Sequence, residues 1–295
     1  MGKQYAANTV LTEHELSEIR AFIEKRSGIV FDASRERFFS TRVREHLEHK
    51  RIARGTELMR LIRGSNAEYD AFLERMLTQE TSFFRYPAIF EALEKRVLPE
   101  MHAQKFWENP RTLRIWSAGC STGEEPYSIA MTVVETFEFA EAWNVHILAT
   151  DISSYALQVA DRGVYSRRDL AGLGAEHIEN YFTPLPGSQN EYQVKPRIRN
   201  MVSFAPMNLA QMVYMGRFDC IFCMNVLIYF SEELRAALIQ RFQEYLEPGG
   251  YLFLGHAESA AKSRVVGLEP IVHGDSLIYQ KVQSASRRAS AGQVI

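Results

Sequence analysis

The chain has 295 residues, 46% of them hydrophobic, and its 34 Lys and Arg nearly balance its 36 Asp and Glu for a net charge of −2. That length holds one large or two modest domains with real cores, and the charge excludes a generally basic nucleic-acid binder. No apolar run approaches the roughly 20 residues of a membrane span, the opening M-G-K-Q-Y-A-A-N-T-V lacks the apolar region of a signal peptide, and Cys120, Cys220 and Cys223 make no disulfide framework, so a cytoplasmic protein is expected.

Residues 1–80 read as a helical domain. Thr12 and Glu15 form a capping-box pattern ahead of Leu16, Ile19 and Ile23, and Gly28 closes that helix. Phe39, Val43 and Leu47 mark a second helix, Leu58, Leu61 and Ile62 a third, and Phe72, Leu73, Met76 and Leu77 a fourth. The second helix is read as carrying Arg35, Arg37, Arg42, Arg44, Lys50, Arg51 and Arg54 against Glu36, Glu45 and Glu48, either as a solvated face or as a docking surface. Residues 81–112 read as a linker segment and a helix. Thr81 to Arg85 leaves the helical pattern: Phe83 and Phe84 can anchor it, Arg85 offers a fork suited to a carboxylate, and Pro87 biases Tyr86 towards an extended conformation. Ile89 to Met101 reads as a helix.

From 113 to 283 strand and helix patterns alternate, which argues an α/β fold with a mainly parallel sheet covered on both faces. Leu113 to Ser128, L-R-I-W-S-A-G-C-S-T-G-E-E-P-Y-S, joins a buried strand, a glycine loop and a helix N-terminus. Gly119 and Gly123 let the backbone turn and approach a ligand, Pro126 suits the first helical turn, and the amides there favour an anion or carboxylate. The Gly-x-x-x-Gly spacing departs from the dinucleotide fingerprint and lacks the Lys-Ser/Thr pair of a phosphate loop. Glu124 and Glu125 would repel a pyrophosphate but suit a ligand carrying a cation, such as S-adenosylmethionine. Val145 to Thr150 is the second strand, and Asp151 at its carboxyl end suits either ribose hydroxyls or the cap of a helix beginning near Ser154. Tyr192, Val194, Pro196, Ile198, Val202 and Phe204 share one parity, predicting a small β insert at about 180–205. Phe218 to Cys223 reads as a central strand, with Asn225 at the ligand rim and Tyr229 one helical turn later. Cys220 and Cys223 face opposite sides of that strand, so no metal site is expected. A helix bearing Leu234, Leu238 and Phe242 is read as ending at Pro248-Gly249-Gly250, followed by strands at Tyr251 to Leu254 and Ser276 to Val282. Residues 284–295, small and polar, are expected to be disordered.

The string A-G-C-S-T-G-E-E-P-Y-S at Ala118 to Ser128 resembles the CheR-type chemoreceptor methyltransferases. Further blocks follow in that family's order: T-S-F-F-R at Thr81 to Arg85, A-T-D-I at Ala149 to Ile152, N-L at Asn208 and Leu209, F-D-C-I-F-C-M-N-V-L-I-Y-F at Phe218 to Phe230, and P-G-G-Y-L-F-L-G-H-A-E at Pro248 to Glu258. The resemblance covers roughly residues 11 to 282. It implies a doubly wound, mainly parallel seven-stranded class I methyltransferase sheet with an N-terminal helical domain and a small antiparallel β-subdomain. It implies S-adenosyl-L-methionine as cofactor and transfer of its methyl group to glutamate carboxylates of a methyl-accepting chemoreceptor helical bundle, in chemosensory adaptation. Its cofactor-binding positions fall on Gln79, Thr81, Arg85, Gly119, Glu124, Glu125, Asp151, Asn208, Leu209, Met224 and Asn225, with Arg85 and Tyr229 nearest the reacting groups.

Two positions depart from the family: Gln79 stands where Asn is usual and Met224 where Arg is usual. In some members a receptor C-terminal peptide adds a strand to the β-subdomain; here the absence of a glycine at Asn190 to Tyr192, and Pro196, argue against that. Arg44, Lys50 and Arg51 are expected to dock the acidic receptor surface, and a monomer without nucleic acid or membrane insertion is expected. A glutamate is already ionised at neutral pH, so no general base is required and His256 is expected to be structural. The departures at Gln79 and Met224 leave open a non-catalytic module that senses the cofactor or docks on receptors. A methyltransferase of RNA or small molecules ranks below both, since Asn225-Val226-Leu227-Ile228 stands where base-amino methyltransferases have Asn-Pro-Pro-Tyr.

Overall fold

Thr12 and Glu15 cap each other reciprocally, Glu15 N–H to Thr12 Oγ1 at 3.2 Å and Thr12 N–H to Glu15 Oε2 at 3.0 Å, and so begin α1 (Glu13–Ser27), which Gly28 ends at φ 81°. The computed structural model describes residues 11–255, 258 and 266–282; His256 and the 284–295 tail lie outside them. The chain divides into two units, the first comprising Met1–Thr78 with Ser153–Tyr155 and Tyr229–Leu234. In it α1, α2 (Glu36–Lys50), α3 (Gly55–Gly64) and α4 (Asn66–Met76) bury Leu16, Ile19, Ile23, Phe39, Val43, Leu47, Leu58, Ile62, Phe72 and Met76, the stripes that the helical period requires. Leu77 has left α4 for extended backbone. α2 is shorter than its run of cations suggested. Arg35 stands at its N-cap, Arg51 at its C-cap with φ 57°, and Arg54 at the N-cap of α3, so Arg51 shares no helical face with Arg44. Glu74 of α4 holds the Ser153–Tyr155 segment, accepting from Ser153 Oγ at 2.7 Å and from the Tyr155 N–H at 3.1 Å.

The second unit opens with a helical stretch that is not regular: α5 (Pro87–Ala92) and α6 (Leu98–Lys105) are joined by a π turn over Leu93–Val97. Pro99 explains the widening, because its ring would clash with a carbonyl one regular turn earlier. β1 (Thr112–Ala118), α7 (Glu124–Thr136), β2 (Asn144–Asp151) and α8 (Ser154–Arg162) then alternate as expected. The insert is a three-stranded antiparallel sheet of β3 (Val164–Ser166), β4 (Phe182–Pro184) and β5 (Glu191–Val194) in the order β3-β5-β4, with α9 (Ala175–Tyr181) between β3 and β4. Pro196 and Ile198, expected within it as strand, form α10 (Pro196–Arg199), so Pro196 removes no ladder donor and the objection to strand addition that rested on it falls away. Val202 and Phe204 belong to β6 (Val202–Pro206), which pairs in parallel with β2. Their parity was real, but alternation does not say which sheet a strand joins.

β7 (Phe218–Cys223) is buried at every position, as a central parallel strand must be. After α11 (Glu232–Tyr245) comes β8 (Leu246–Leu254), which absorbs Pro248-Gly249-Gly250 rather than following it. The register jumps from Phe218↔Leu246 to Cys220↔Tyr251, so a bulge at 247–250 lies inside the strand, with Gly249 at φ 83°. β9 (Leu268–His273) and β10 (Ser276–Lys281) complete a seven-stranded sheet in the order β6-β2-β1-β7-β8-β10-β9, parallel except for β10. The order reverses between β1 and β7, which opens a crevice at the carboxyl ends of those strands.

Candidate cofactor site at the carboxyl edge of the sheet

The loop after β1 lies in this crevice. Its amides are sewn to the next strand: Gly119 and Cys120 N–H both donate to the Thr150 carbonyl, at 2.7 and 2.9 Å. Gly119 has φ 87°, and a Cβ there would stand 2.3 Å from Val226 Cγ2; Gly123 has φ 99° and would meet Ala160 and Tyr165 at 2.8 Å. Both positions therefore require glycine for conformation and for space. Ser121 also takes a left-handed conformation, φ 48°, and its N–H donates to Asp151 Oδ2 at 2.8 Å. The buried Ser121 hydroxyl has no hydrogen-bond partner among the described residues.

The two acids that open α7 are tied down differently. Glu124 accepts from Thr122 Oγ1 at 2.7 Å, and burial raises its pKa against that bond. Glu125 accepts from Ser117 Oγ at 2.7 Å; burial pushes its carboxyl up to about 7, Ser117 and Arg85 oppose the rise, and Glu258 adds to it. Burial likewise drives the Cys120 and Cys223 thiols well above their ordinary range, so both are protonated at neutral pH.

The strap at 79–86 is anchored as its aromatics suggested. Phe83 packs edge-on against Tyr165 and Phe182, Phe84 against Phe90, and the Phe84 N–H donates to Ser128 Oγ of α7 at 3.0 Å. Tyr86 is not extended: it sits at φ 67°, ψ 71°, and its hydroxyl donates to Asn225 Oδ1 at 2.9 Å. These fixed contacts on either side override the preference imposed by the following proline. Arg85 donates to the Glu80 carbonyl, stands 3.6 Å from its carboxylate and lies 5.3 Å over the Tyr86 ring. Thr81 is half-buried and Gln79 exposed.

The loops after β6 and β7 supply the remaining expected positions. The Met207 N–H donates to the Asp151 carbonyl at 2.9 Å, Asn208 caps a short turn by accepting from the Ala210 N–H at 3.0 Å, and Leu209 is buried. Met224 packs half-buried against the sheet core, and Asn225 takes φ 61°. Tyr229 is described with the helical unit, where its carbonyl accepts from the Val30 N–H at 2.8 Å and Arg35 lies 4.8 Å over its ring. Three residues of this constellation escaped the sequence reading: Tyr86, Ser117 and Glu258. Only Glu258 had a visible signal, an acid three residues beyond the glycine that ends a strand.

Comparison with known proteins decides the family. Residues 79–268 match the CheR methyltransferase, SAM binding domain, and residues 14–77 the CheR methyltransferase, all-alpha domain. The chain belongs to the CheR methyltransferase family. It is 38% identical over 248 residues to chemotaxis protein methyltransferase 1 of Pseudomonas aeruginosa, covering 81% of this chain and 88% of that one. It is 36% identical over 255 residues to the chemotaxis protein methyltransferase of Vibrio parahaemolyticus, covering 84% and 90%. Among solved structures, magnesium protoporphyrin IX methyltransferase from Synechocystis with bound SAM is 15% identical, covers 92% of this chain and 97% of that one, and has a TM-score of 0.38. This CheR-family chain is thus an S-adenosylmethionine-dependent methyltransferase of the chemotaxis class. The site's chemistry fits that cofactor in kind: carboxylates for a cation, and the Ser121 hydroxyl, without a partner among the described residues, available to a polar ligand atom.

Proposed function

We propose that the chain methylates glutamate side chains of a chemoreceptor helical bundle, giving glutamate methyl esters. The observation that supports this most directly is the likeness over most of the chain to chemotaxis protein methyltransferases, together with Arg85, whose planar guanidinium suits a carboxylate acceptor. A glutamate acceptor titrates near pH 4.3 and arrives already nucleophilic, so its methylation requires no base, whereas a lysine would first have to lose a proton. S-adenosylmethionine, when bound, supplies a methyl group made electrophilic by its sulfonium and leaves as S-adenosylhomocysteine. Glu124 and Glu125 are assigned to its cationic end and Asp151 to its ribose hydroxyls. Gln79, Thr81, Gly119, Asn208, Leu209, Met224 and Asn225 are assigned to its lining. Arg85 and Tyr229 are assigned to the reacting groups, Arg85 by orienting a carboxylate through its planar fork.

Incubating the protein with methyl-labelled cofactor and a chemoreceptor-bearing membrane fraction should give a labelled receptor band whose methyl group is released by mild base. A base-stable label, or cofactor binding without transfer, would refute the ester. Asp151→Ala and Arg85→Ala should each weaken S-adenosylhomocysteine binding by about one to two decades, measured by calorimetry. Unchanged affinity in both would remove these assignments.

A further inference from the structure

Glu258 is 1% exposed, and its carboxylate accepts three backbone N–H groups from two loops. Oε2 takes Asn225 and Gly255, both at 2.8 Å, and Oε1 takes Ile228 at 3.2 Å. The last paired residues of β7 and β8 are Cys223 and Leu254, so these bonds begin where the ladder stops and hold the two strand ends together. The space is kept for this carboxylate: a Cβ on Gly255 would stand 2.5 Å from Glu258 Oε2 and 3.1 Å from both the amide nitrogen and the side-chain oxygen of Asn225. Asn225 takes a left-handed backbone, φ 61°, a conformation that asparagine adopts more readily than most residues. In that conformation its Oδ1 receives the Tyr86 hydroxyl at 2.9 Å, so the strap over the site is fixed through the same residue.

We infer that Glu258 is a positioning residue for cofactor binding, acting through Asn225, whose amide it holds at the carboxyl edge of β7. This rests on the assignment of Asn225 to the cofactor lining. A carboxylate is the side chain for the task because it accepts along every lone pair and donates along none; a glutamine of the same shape would turn an NH2 group onto a backbone N–H.

The test is a double-variant cycle on the full chain, with S-adenosylhomocysteine as the titrant. Glu258→Gln and Asn225→Ala should each weaken binding about tenfold, and the double variant should be no weaker than Asn225→Ala alone, because the first residue acts through the second. In turnover, Glu258→Gln should raise KM for S-adenosylmethionine with kcat at saturation little changed. Glu258→Asp keeps the charge on a shorter arm and is read in the same cycle if the glutamine variant does not fold. Losses that multiply to about a hundredfold would overturn the inference, as would wild-type affinity in Glu258→Gln beside a weakened Asn225→Ala. If neither variant folds, Glu258 serves the fold and the inference falls. Wild-type affinity in Asn225→Ala would remove the lining assignment, and this inference with it.

Discussion

Glu125 and His46 are both held away from their ordinary titration by burial, with opposite consequences. The Glu125 carboxyl is pushed up to about 7 from an unfolded value near 4.5, so the folded state holds its proton where the unfolded chain has lost it. Its contribution to stability is present below pH 4.5 and is lost as pH rises through 7, to the extent of about 3 kcal/mol. A cation placed beside it reverses that preference. The KM for S-adenosylmethionine should therefore rise about tenfold between pH 8 and pH 6 while kcat at saturating substrates stays nearly flat, since the acceptor is ionised throughout. Glu125→Gln should bind more weakly and lose the pH dependence; a KM that is level across this range in the wild type would sink the assignment. His46, on α2, is 1% exposed, meets Phe72 edge-on at 4.9 Å and has no hydrogen-bond partner on either ring nitrogen among the described residues. Burial, with Arg75 and Lys50 adding, lowers its pKa to about 4. The folded state thus binds fewer protons than the unfolded one below pH 6.5, and about 3 kcal/mol of stability is lost as pH falls from 6.5 through 4. His46→Met, similar in bulk and without a polar atom to leave unpaired, should lose less stability than the wild type between pH 7.5 and 5 in urea denaturation.

At the scale of elements, what could be read in advance was whatever one short stretch determines. The capping box at Thr12 and Glu15, the buried run of β7 and the glycines at 119 and 123 each carry their own cause, and each forms as expected. What was not legible depends on partners distant in the chain. Tyr86 turns left-handed for Asn225 and Phe84 for Ser128, β6 joins the large sheet because β2 offers an edge, and the Pro-Gly-Gly of β8 is a bulge only because β7 sets the register. α2 shows the same limit. Its cations could be counted from sequence, but not that Lys50 pairs with Glu68 at 2.9 Å or that Arg51 turns off the helix. Of the three expected docking residues Arg44 and Lys50 lie on α2, both exposed, Lys50 in its last turn and paired with Glu68. Replacing Arg44, Lys50 and Arg51 together by Gln should still raise the KM for receptor, by about three- to 150-fold at low salt, and blunt its salt dependence, at about 0.2 to 1 kcal/mol for each exposed pair. Cofactor affinity should not move. A wild-type rate at subsaturating receptor and low salt would mean that the face is merely solvated.

Over the molecule as a whole, the carboxyl ends of the strands around the switch point are clipped together by the protein's own hydrogen bonds. Thr150 binds the loop after β1, Asp151 binds that loop and the one after β6, and Glu258 binds the ends of β7 and β8. A site assembled from loops this far apart in sequence exists only in the folded chain, so a ligand for it must stabilise folding by mass action. At a hundred times its dissociation constant, S-adenosylhomocysteine should add about 2.7 kcal/mol, a rise of about 4 to 5 °C in Tm for a protein of this size. The Glu125 proton sets how that rise depends on pH. With the ligand held at the concentration chosen at pH 8, a tenfold loss of affinity at pH 6 leaves about 1.4 kcal/mol, so the shift should fall to roughly half. Other groups titrate over the same range, and Glu125→Gln separates them: its ligand-induced shift should be smaller at pH 8 and nearly the same at pH 6. Equal shifts at the two pH values in the wild type, or a variant that keeps the full pH dependence, would show that Glu125 does not face the ligand's charge.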